Sequence, residues 1–548
     1  MRNLPGFTRW KHYFESTYFS EDLKKIYGTN PSLIQERQEA YLSVLNGHHH
    51  FVPEQQPLFI VRVPARINLM GVHIEHRGGC INCMTIAKEL LMAVAPRPDA
   101  LVRFANLDAQ YSPFEFTLDS EFSPHHQVDW LDYINTVSIQ PGNWENYVKA
   151  AGYYLQNHAA QSLRGMDVTV WGQIPPAAGL SSSSALVVGT MEALDLINQL
   201  RLTKAQKTIM GGEAEWYVGT RGGAGDHGAI IHGLKNHIVH LQFFPLRVKM
   251  IPLPPHIAIV ACHSLIEAKK SGEAKDHYNT RIAAYEIAFS MLKQRFPEFT
   301  GVNHLRDYNT RHLQIELEQL YRMIQTLPMK MTRTAVLRTL PTETARFKHI
   351  FSTHCEPEDG YPIRAVCLFG LSECARSEVT AELLREQKFE ELGKLMYISH
   401  DGDRRFIHDA QGHAHPYLKN FDAAYFEQLI KNSASKNTER KEAAQLACQP
   451  GGYDCSTREM DLIVDLAKTV SGVYGAGLTG AGLGGMVLVL IKKENIPDLL
   501  AKLEKEYYHP RNLPLSAEEC LSVNGVSIWD SIPIAAAYHT TNQALAYK

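Results

Sequence analysis

The apolar residues of this chain gather into strand-length runs and helix-spaced stripes. From Leu58, LFIVRVPARINLM is almost continuously apolar and predicts a buried strand running into a glycine-punctuated turn. INCMTIAKELLMAVAP and VRFANL predict further strands, and MDVTVWGQIP a strand with alternation. NHIVHLQFF, HIAIVACHS and GMVLVLIKK are strand-like further on. Helical spacing governs WENYVKAAGYYLQNHAA, the segment from about Tyr278 to Phe296, MDLIVDLAKTVSG and IPDLLAKLEKEYY. GLSSSSALVVGTMEALDLINQL reads as a loop followed by a long helix.

Outside these runs the pattern weakens. Residues 1–56 read as a mostly helical extension of mixed polarity, with His48–His50 in a solvated loop, NGHHH. Residues 300–365 are helical and mixed in charge, and 366–400 carry helical patterns. Residues 401–455, rich in His, Asp, Gly and Lys, read as an irregular insertion. No unit of roughly 20–50 residues repeats, which excludes a solenoid or a propeller. The mixture predicts an α+β fold with two main lobes.

Composition narrows the function. Of 548 residues, 45% are hydrophobic and 21% charged, globular proportions that exclude a disordered or fibrous chain. Fifty-five basic and 58 acidic side chains leave a net charge of −3, so no global field draws the chain to nucleic acid or an anionic membrane. No run approaches the ~20 apolar residues of a membrane helix. MRNLPGFTRWKHYFES lacks the apolar core of a secretory signal, and a cytoplasmic protein is expected. The nine cysteines are odd in number and scattered. Only Cys80 and Cys83 form a CxxC, without a second pair nearby, so buried or free thiols in a reducing cytosol are expected.

Several segments carry candidate chemistry. PPAAGLSSSSALVVG, residues 175–189, sets small residues and four serines just ahead of a helix. Small residues admit close approach of a ligand, and the unpaired N–H groups and dipole of the helix favour an anion. A Ser-rich cap of the same helix fits the residues equally well. No GxxxxGK[ST] loop is present, which excludes a Walker-type NTPase. Gly475, Gly477 and Gly480 form a GxGxxG, but a helix precedes it and the strand MVLVLI follows, the reverse of a dinucleotide fingerprint. What remains is a glycine loop between helix and strand, close to another backbone or a phosphate. GTRGGAGDHG, residues 219–228, sets Asp226 in a glycine-lined turn, suited to a substrate hydroxyl or simply a surface acid. PARINLMGVHIEHRGG, residues 64–79, crowds Arg66, His73, Glu75, His76 and Arg77 beside a buried strand, where they bind something polar or pair with one another. SHDGDRRFIHDAQGHAHP, residues 399–416, reads as a solvated insertion rather than a metal site.

In order along the chain, these motifs resemble those of the GHMP small-molecule kinases, and within them the galactokinase branch. PARINLMGVHIEHRGG resembles the galactokinase signature PGRVNLIGEHxDYxGG, PPAAGLSSSSALVVG the phosphate-binding second motif, and GLTGAGLGGMVLVLI the glycine-rich third motif. EAEWYVGTRGGAGDHGAII is similar to the segment of the catalytic aspartate, and is closest in wording to N-acetylgalactosamine kinases. HSLIEAKKSGEAKDHYNTRIAAYE resembles the sugar-side segment after it, and the likeness spans roughly residues 58–300 and 366–510.

The resemblance implies a two-lobed GHMP-kinase fold with the active site between the lobes. It implies a helical extension over 1–57, an N-terminal lobe over 58–250, and a C-terminal lobe over 251–548 with insertions near 300–365 and 401–455. The implied activity is phosphorylation of a sugar at its anomeric C1 hydroxyl with ATP and Mg2+ as cofactors. By the same resemblance Asp226 accepts or orients the sugar proton, while Arg66 keeps that carboxylate ionised and steadies the moving phosphoryl charge. Pro176, Gly179, Leu180, Ser181, Ser182, Ser183 and Ser184 would cradle ATP. Ser183 and Glu215 would hold magnesium, a hard cation that takes oxygen ligands. Val72, His73, Glu75, Arg77, Gly223 and Tyr278 fall at sugar-side positions. The Gly480–Gly485 loop, with Gly482, would approach from the second lobe. Partners are the sugar and ATP alone, for a monomer or a homodimer, with no nucleic acid and no membrane.

Departures from the family bear on the substrate. Val72 stands where galactokinases have a Glu facing the C6 hydroxyl, Glu75 replaces an Asp and His76 a Tyr. Losing the Glu suits a sugar without a C6 hydroxyl, or one with a C6 carboxylate. GVHIEHRGGCINCMTIAKEL also resembles plant galacturonokinases, where Arg77 would pair with the uronate. Galactose-type sugars, galacturonate and N-acetylgalactosamine are therefore all candidates. An inactive sugar- and ATP-binding regulator is the alternative of another class, and the retention of Arg66, Asp226, Ser183 and Glu215 argues against it. Arg66 and Asp226 are expected on opposite strands or turns, within about 6 Å.

Overall fold

Strand β1 (Phe59–Met70) sets the layers of the molecule. Its alternate residues Phe59, Val61, Val63, Ala65, Ile67 and Leu69 enter the main core. Ile60 on the opposite face packs with the N-terminal helices. β1 pairs antiparallel with β2 (Ile81–Pro96), and around them lie β3 (Leu101–Asn106), β4 (Phe114–Thr117), β5 (Met166–Gly172), β6 (His237–Gln242) and β7 (Arg247–Pro252). The second sheet begins with β8 (Ile257–His263), a strand buried along nearly its whole length. A small hairpin, β9 (Phe406–His408) and β10 (Ala414–Pro416), precedes β11 (Val473–Leu478), β12 (Met486–Lys492), β13 (Ala517–Glu519) and β14 (Ser527–Trp529). The first sheet has the order β14-β1-β2-β5-β3-β4, with β6 on β2 and β7 on β6; the second runs β11-β12-β8-β13. The computed structural model describes residues 4–122, 127–140, 142–176, 178–219, 222–266, 273–409 and 412–533. Of the segments singled out from sequence, Ala177, Thr220, Arg221, residues 267–272, Ala410 and Gln411 lie outside the described residues.

Helices cover both faces of the first sheet. α1 (Phe7–Phe14), α2 (Thr17–Tyr27) and α3 (Pro31–Phe51) close over Leu91, Ala93 and Ala95 of β2. Buried Arg62 joins this layer to the sheet: it pairs with Glu89 at 3.0 Å, and Glu89 also takes the Tyr27 hydroxyl. On the other face lie α4 (Trp130–Thr136), α5 (Glu145–His158), α6 (Ser182–Asn198) and α7 (Lys204–Glu215), while α8 (Gly225–His232) packs near β1 and β6. A second core gathers β8, β11 and β12 with the helices Ile363–Arg385 and Arg458–Lys468. The segment 300–365 contributes Leu320, Tyr321, Phe347 and Tyr361 to it, so it is part of this lobe and not a separate body.

Four expectations are corrected. His48–His50 is the last turn of α3, not a loop. Asn30 caps that helix, and His48 is buried with Nδ1 3.0 Å from Thr169 Oγ1. Residues 401–455 are not irregular: beside the hairpin they hold the helices Ala423–Ser433 and Thr438–Ala443, and Phe426, Leu429 and Ile430 join the second core. The GxGxxG is not a loop between helix and strand, since Gly475 and Gly477 lie within β11. A Cβ on Gly475 would meet Gly393 Cα at 2.5 Å, so glycine is what lets β11 touch the helix Phe389–Asp403. Finally, β14 leaves the second lobe and pairs with β1, Ile60 opposite Trp529.

All nine cysteines are free. Among the described residues no helix is long and apolar enough to cross a membrane.

Candidate active site

The loop ahead of α6 is shaped by two left-handed residues, Gly179 at φ +80° and Ser181 at φ +63°. Glycine adopts that conformation freely, whereas for serine it costs of the order of 1 kcal/mol. Ser181 occupies the cap position but makes no capping hydrogen bond. The reading of the serines as a simple cap is thereby set aside, and no cap side chain occupies the N–H groups of the first turn of α6. The Ser181 hydroxyl instead donates to Asp226 Oδ2. Leu180 is buried and offers only its backbone, whose carbonyl accepts from Arg66 N–H; Pro176 is exposed, and Ser182 and Ser183 are half-buried.

Asp226 stands in the first turn of α8, not in an open turn. The helix dipole there favours a carboxylate. Arg66, reaching from β1, binds Oδ1 through Nε at 2.7 Å and Nη2 at 2.6 Å, and its Nη1 donates to the Gly179 carbonyl at 2.6 Å. Burial opposes ionisation of Asp226, but the Arg66 guanidinium and the Ser181 hydroxyl outweigh it and hold the carboxyl below its usual range.

Glu75 adjoins this pair. Its carboxylate accepts the Gly225 N–H, and Gly223 has no Cβ where that carboxylate lies. Burial, reinforced by the Asp226 charge, pushes Glu75 up to about 7. Burial likewise takes Tyr278 up to about 12, and that phenol feels the charges of Glu75, Arg77 and Asp226.

A second acidic centre lies at the end of α7. Glu215 Oε2 accepts from Ser184 Oγ at 2.8 Å and faces His227 Nε2 at 2.9 Å. Burial opposes its charge, yet these two contacts keep Glu215 below the usual range. Ser184, rather than Ser183, is the serine seen touching Glu215. An ionised carboxylate beside a serine hydroxyl suits a hard divalent cation. His227 escaped the sequence reading; the only signal for it was its place directly after Asp226.

The remaining sugar-side positions divide. Val72 is buried in the second core, and its N–H and that of Gly71 donate to Glu373 Oε1. His73, at φ +63°, stacks on Tyr453 at 4.2 Å and faces Asp403. Gly482 backs onto Cys455, where a Cβ would lie 2.9 Å from the Cys455 Cβ. Arg77 is ion-paired through Nη1 with Glu286 and lies over the Tyr285 ring, while its buried Nε has no hydrogen-bond partner. Glu286 is 209 residues away and invisible in the local pattern.

The lobes meet at their glycine loops. A Cβ on Gly480 would come 3.0 Å from Gly179 Cα, and Thr479 Oγ1 bonds both the N–H and the carbonyl of Asn68 at 3.2 and 3.1 Å.

Three families match segments of the chain. GHMP kinases N terminal domain matches residues 146–234, GHMP kinases C terminal matches 414–509, and the galactokinase galactose-binding signature matches 48–96. A galactokinase of Roseiflexus sp. (strain RS-1) is 24% identical over 471 residues, covering 86% of this chain and 93% of that protein. A galactokinase of Dictyostelium discoideum is 24% identical over 499 residues, covering 89% and 90%. In structure, the Lactococcus lactis galactokinase complexed with galactose aligns with a TM-score of 0.62 at 19% identity, over 89% of this chain and 99% of that one.

Proposed function

We infer that the chain is a GHMP kinase of the galactokinase branch and that it phosphorylates a galactose-type sugar at the anomeric C1 hydroxyl, giving sugar 1-phosphate and ADP; the three family matches and the galactokinase relatives support this reading. The observation that carries this reading is the joint contact of Arg66 and Ser181 with Asp226 beside the uncapped start of α6. An acceptor carboxylate and an anion-binding helix end then adjoin, as in-line transfer requires.

Mg-ATP, when bound, supplies the phosphoryl group. The residues present fit it: the first-turn N–H groups of α6 and the backbone of Gly179 to Ser184 would face the phosphates, and Ser183, Ser184 and Glu215 offer oxygens for magnesium. Asp226 orients the sugar hydroxyl and takes its proton as the new bond forms. Being held ionised, it is a weak base, so positioning is its larger part. Arg66 keeps the carboxylate fixed and offsets charge on the transferring group. Glu75, between Gly225 and the sugar side, takes a sugar hydroxyl. Free thiols fit a cytoplasmic setting.

Among the candidate sugars, a galacturonate carboxylate would have to share Arg77 with Glu286, which already pairs with its Nη1. The test is ATP turnover with galactose, galacturonate and N-acetylgalactosamine, with the product followed by phosphorus NMR. The expected outcome is a sugar 1-phosphate with galactose preferred. Sugar-dependent ATP binding with no turnover on any sugar would make the protein a regulator instead.

A further inference from the structure

The side chain of His73, in the sugar-side turn, enters a buried cluster whose other members the proposed phosphoryl transfer does not use. His73 follows β1, Asp403 ends the helix Phe389–Asp403, and Cys455 lies in the stretch leading to the helix Arg458–Lys468. One donor atom from each lies within 4.8 Å of the other two. The His73 and Asp403 side chains are 2% and 0% exposed, and Nε2 and Oδ2 face each other at 3.5 Å. Neither atom has a hydrogen-bond partner. Leaving two such groups unsatisfied in the interior costs of the order of 1–3 kcal/mol each. Tetrahedral ligands bound at ~2.0–2.3 Å to zinc stand about 3.3–3.7 Å apart, which is the spacing of this pair.

The surroundings hold the donors in place. The left-handed backbone of His73 and its stacking on Tyr453 aim the ring at Asp403. Asp403 Oδ1 accepts the Cys455 N–H at 3.3 Å, and the Asp403 carbonyl accepts the Ser456 N–H at 2.9 Å. His277 Nδ1 lies 3.7 Å from Cys455 Sγ, and its Nε2 faces the Arg281 guanidinium at 3.2 Å. Arginine can only donate, so Nε2 accepts and Nδ1 carries the proton. His277 is therefore an N–H donor to the sulfur and not a fourth ligand. Such outer hydrogen bonds orient and stabilise metal thiolates.

We propose that His73, Asp403 and Cys455 form a site for one zinc-class divalent transition-metal ion, separate from the magnesium position at Ser183 and Glu215. Imidazole and thiolate prefer such ions to magnesium. On binding, the Cys455 thiol releases its proton to solvent and its sulfur lone pair goes to the metal. Three protein donors leave the fourth position to water. The ion would tie the turn that carries Glu75 to the second lobe.

The test uses the full chain, stripped with a chelator and titrated with Co2+ in excess Mg2+. One Co2+ per chain is expected, with a near-ultraviolet thiolate-to-cobalt band and the visible bands of a tetrahedral ion, all displaced by Zn2+. Cys455→Ser should abolish the thiolate band. Asp403→Asn should weaken binding by more than the ~10–100-fold that outer partners carry. Absence of the thiolate band in the unmodified chain overturns the proposal, whatever the fold of the variants. So does a band that survives Cys455→Ser, or cobalt that excess Mg2+ displaces. None of these readouts depends on kinase turnover.

Discussion

Arg66 grips a single oxygen of Asp226. Its Nε and Nη2 both bind Oδ1, at 2.7 and 2.6 Å, and Oδ2 is left to the Ser181 hydroxyl. The two carboxylate oxygens are thus inequivalent, and Oδ2, on the serine side, is the one with spare acceptor capacity for a sugar hydroxyl.

Replacing the carboxylate tests that division of labour. Asp226→Asn is expected to keep the fold and nucleotide binding while turnover falls about 10²–10⁴-fold. Steady-state kinetics beside calorimetric ADP binding would show it, and near-normal turnover would remove Asp226 from the reaction.

Glu75 should impose a pH signature. Its carboxyl rises from 4.5 to about 7 in the folded protein, so the folded state keeps a proton that the unfolded chain has lost. Its contribution therefore falls as pH climbs from about 4.5 to 7 and is a net cost above. Glu75→Gln keeps the acceptor for Gly225 N–H and should be more stable than the parent at pH 8, by roughly 2–4 kcal/mol. The two should converge below pH ~4.5 in denaturant titrations. Equal stability at pH 8 would mean that Glu75 is not destabilised by its charge.

Position 72 has a buried setting that disfavours the glutamate of the motif it resembles. Val72 is 5% exposed, its N–H binds the Glu373 carboxylate, and it lines a small internal space with Asp403 and His400. A Glu there would bring a further buried acid beside Glu373 and Asp403. Val72→Glu should lower unfolding free energy by at least about 3 kcal/mol, read from chemical denaturation. A variant of parental stability that gains affinity for galactose would show that the position reaches the sugar.

Arg77 should act on all sugars alike. Without it Glu286 still has Arg346. Arg77→Ala is expected to lower kcat/KM for galactose and galacturonate by similar factors. A loss selective for galacturonate by more than about tenfold would return Arg77 to the substrate.

Much of this arrangement was legible in the chain. LFIVRVPARINLM is a strand because its apolar run leaves it no other way to bury itself, and its Arg66 does face Asp226, 160 residues away. The first strand of the second-lobe hairpin was not legible. VYGAGL lacks apolar alternation because Gly475 is chosen for its contact with Gly393. NGHHH looked like a loop because glycine and histidine are poor helix formers, yet the burial of His48 against Thr169 outweighs that local preference. The partners of Arg77 and His73 come from elements far along the chain, so no local pattern could announce them.

The contact of Gly179 with Gly480 has a mechanical consequence. Backbone rests on backbone there, with no side chain to yield between the lobes. A shift of the Gly480 loop would therefore press directly on the loop at the head of α6. A methyl group at either glycine would act as a spacer, and the molecule would lose the stiffness of this joint before it lost its fold.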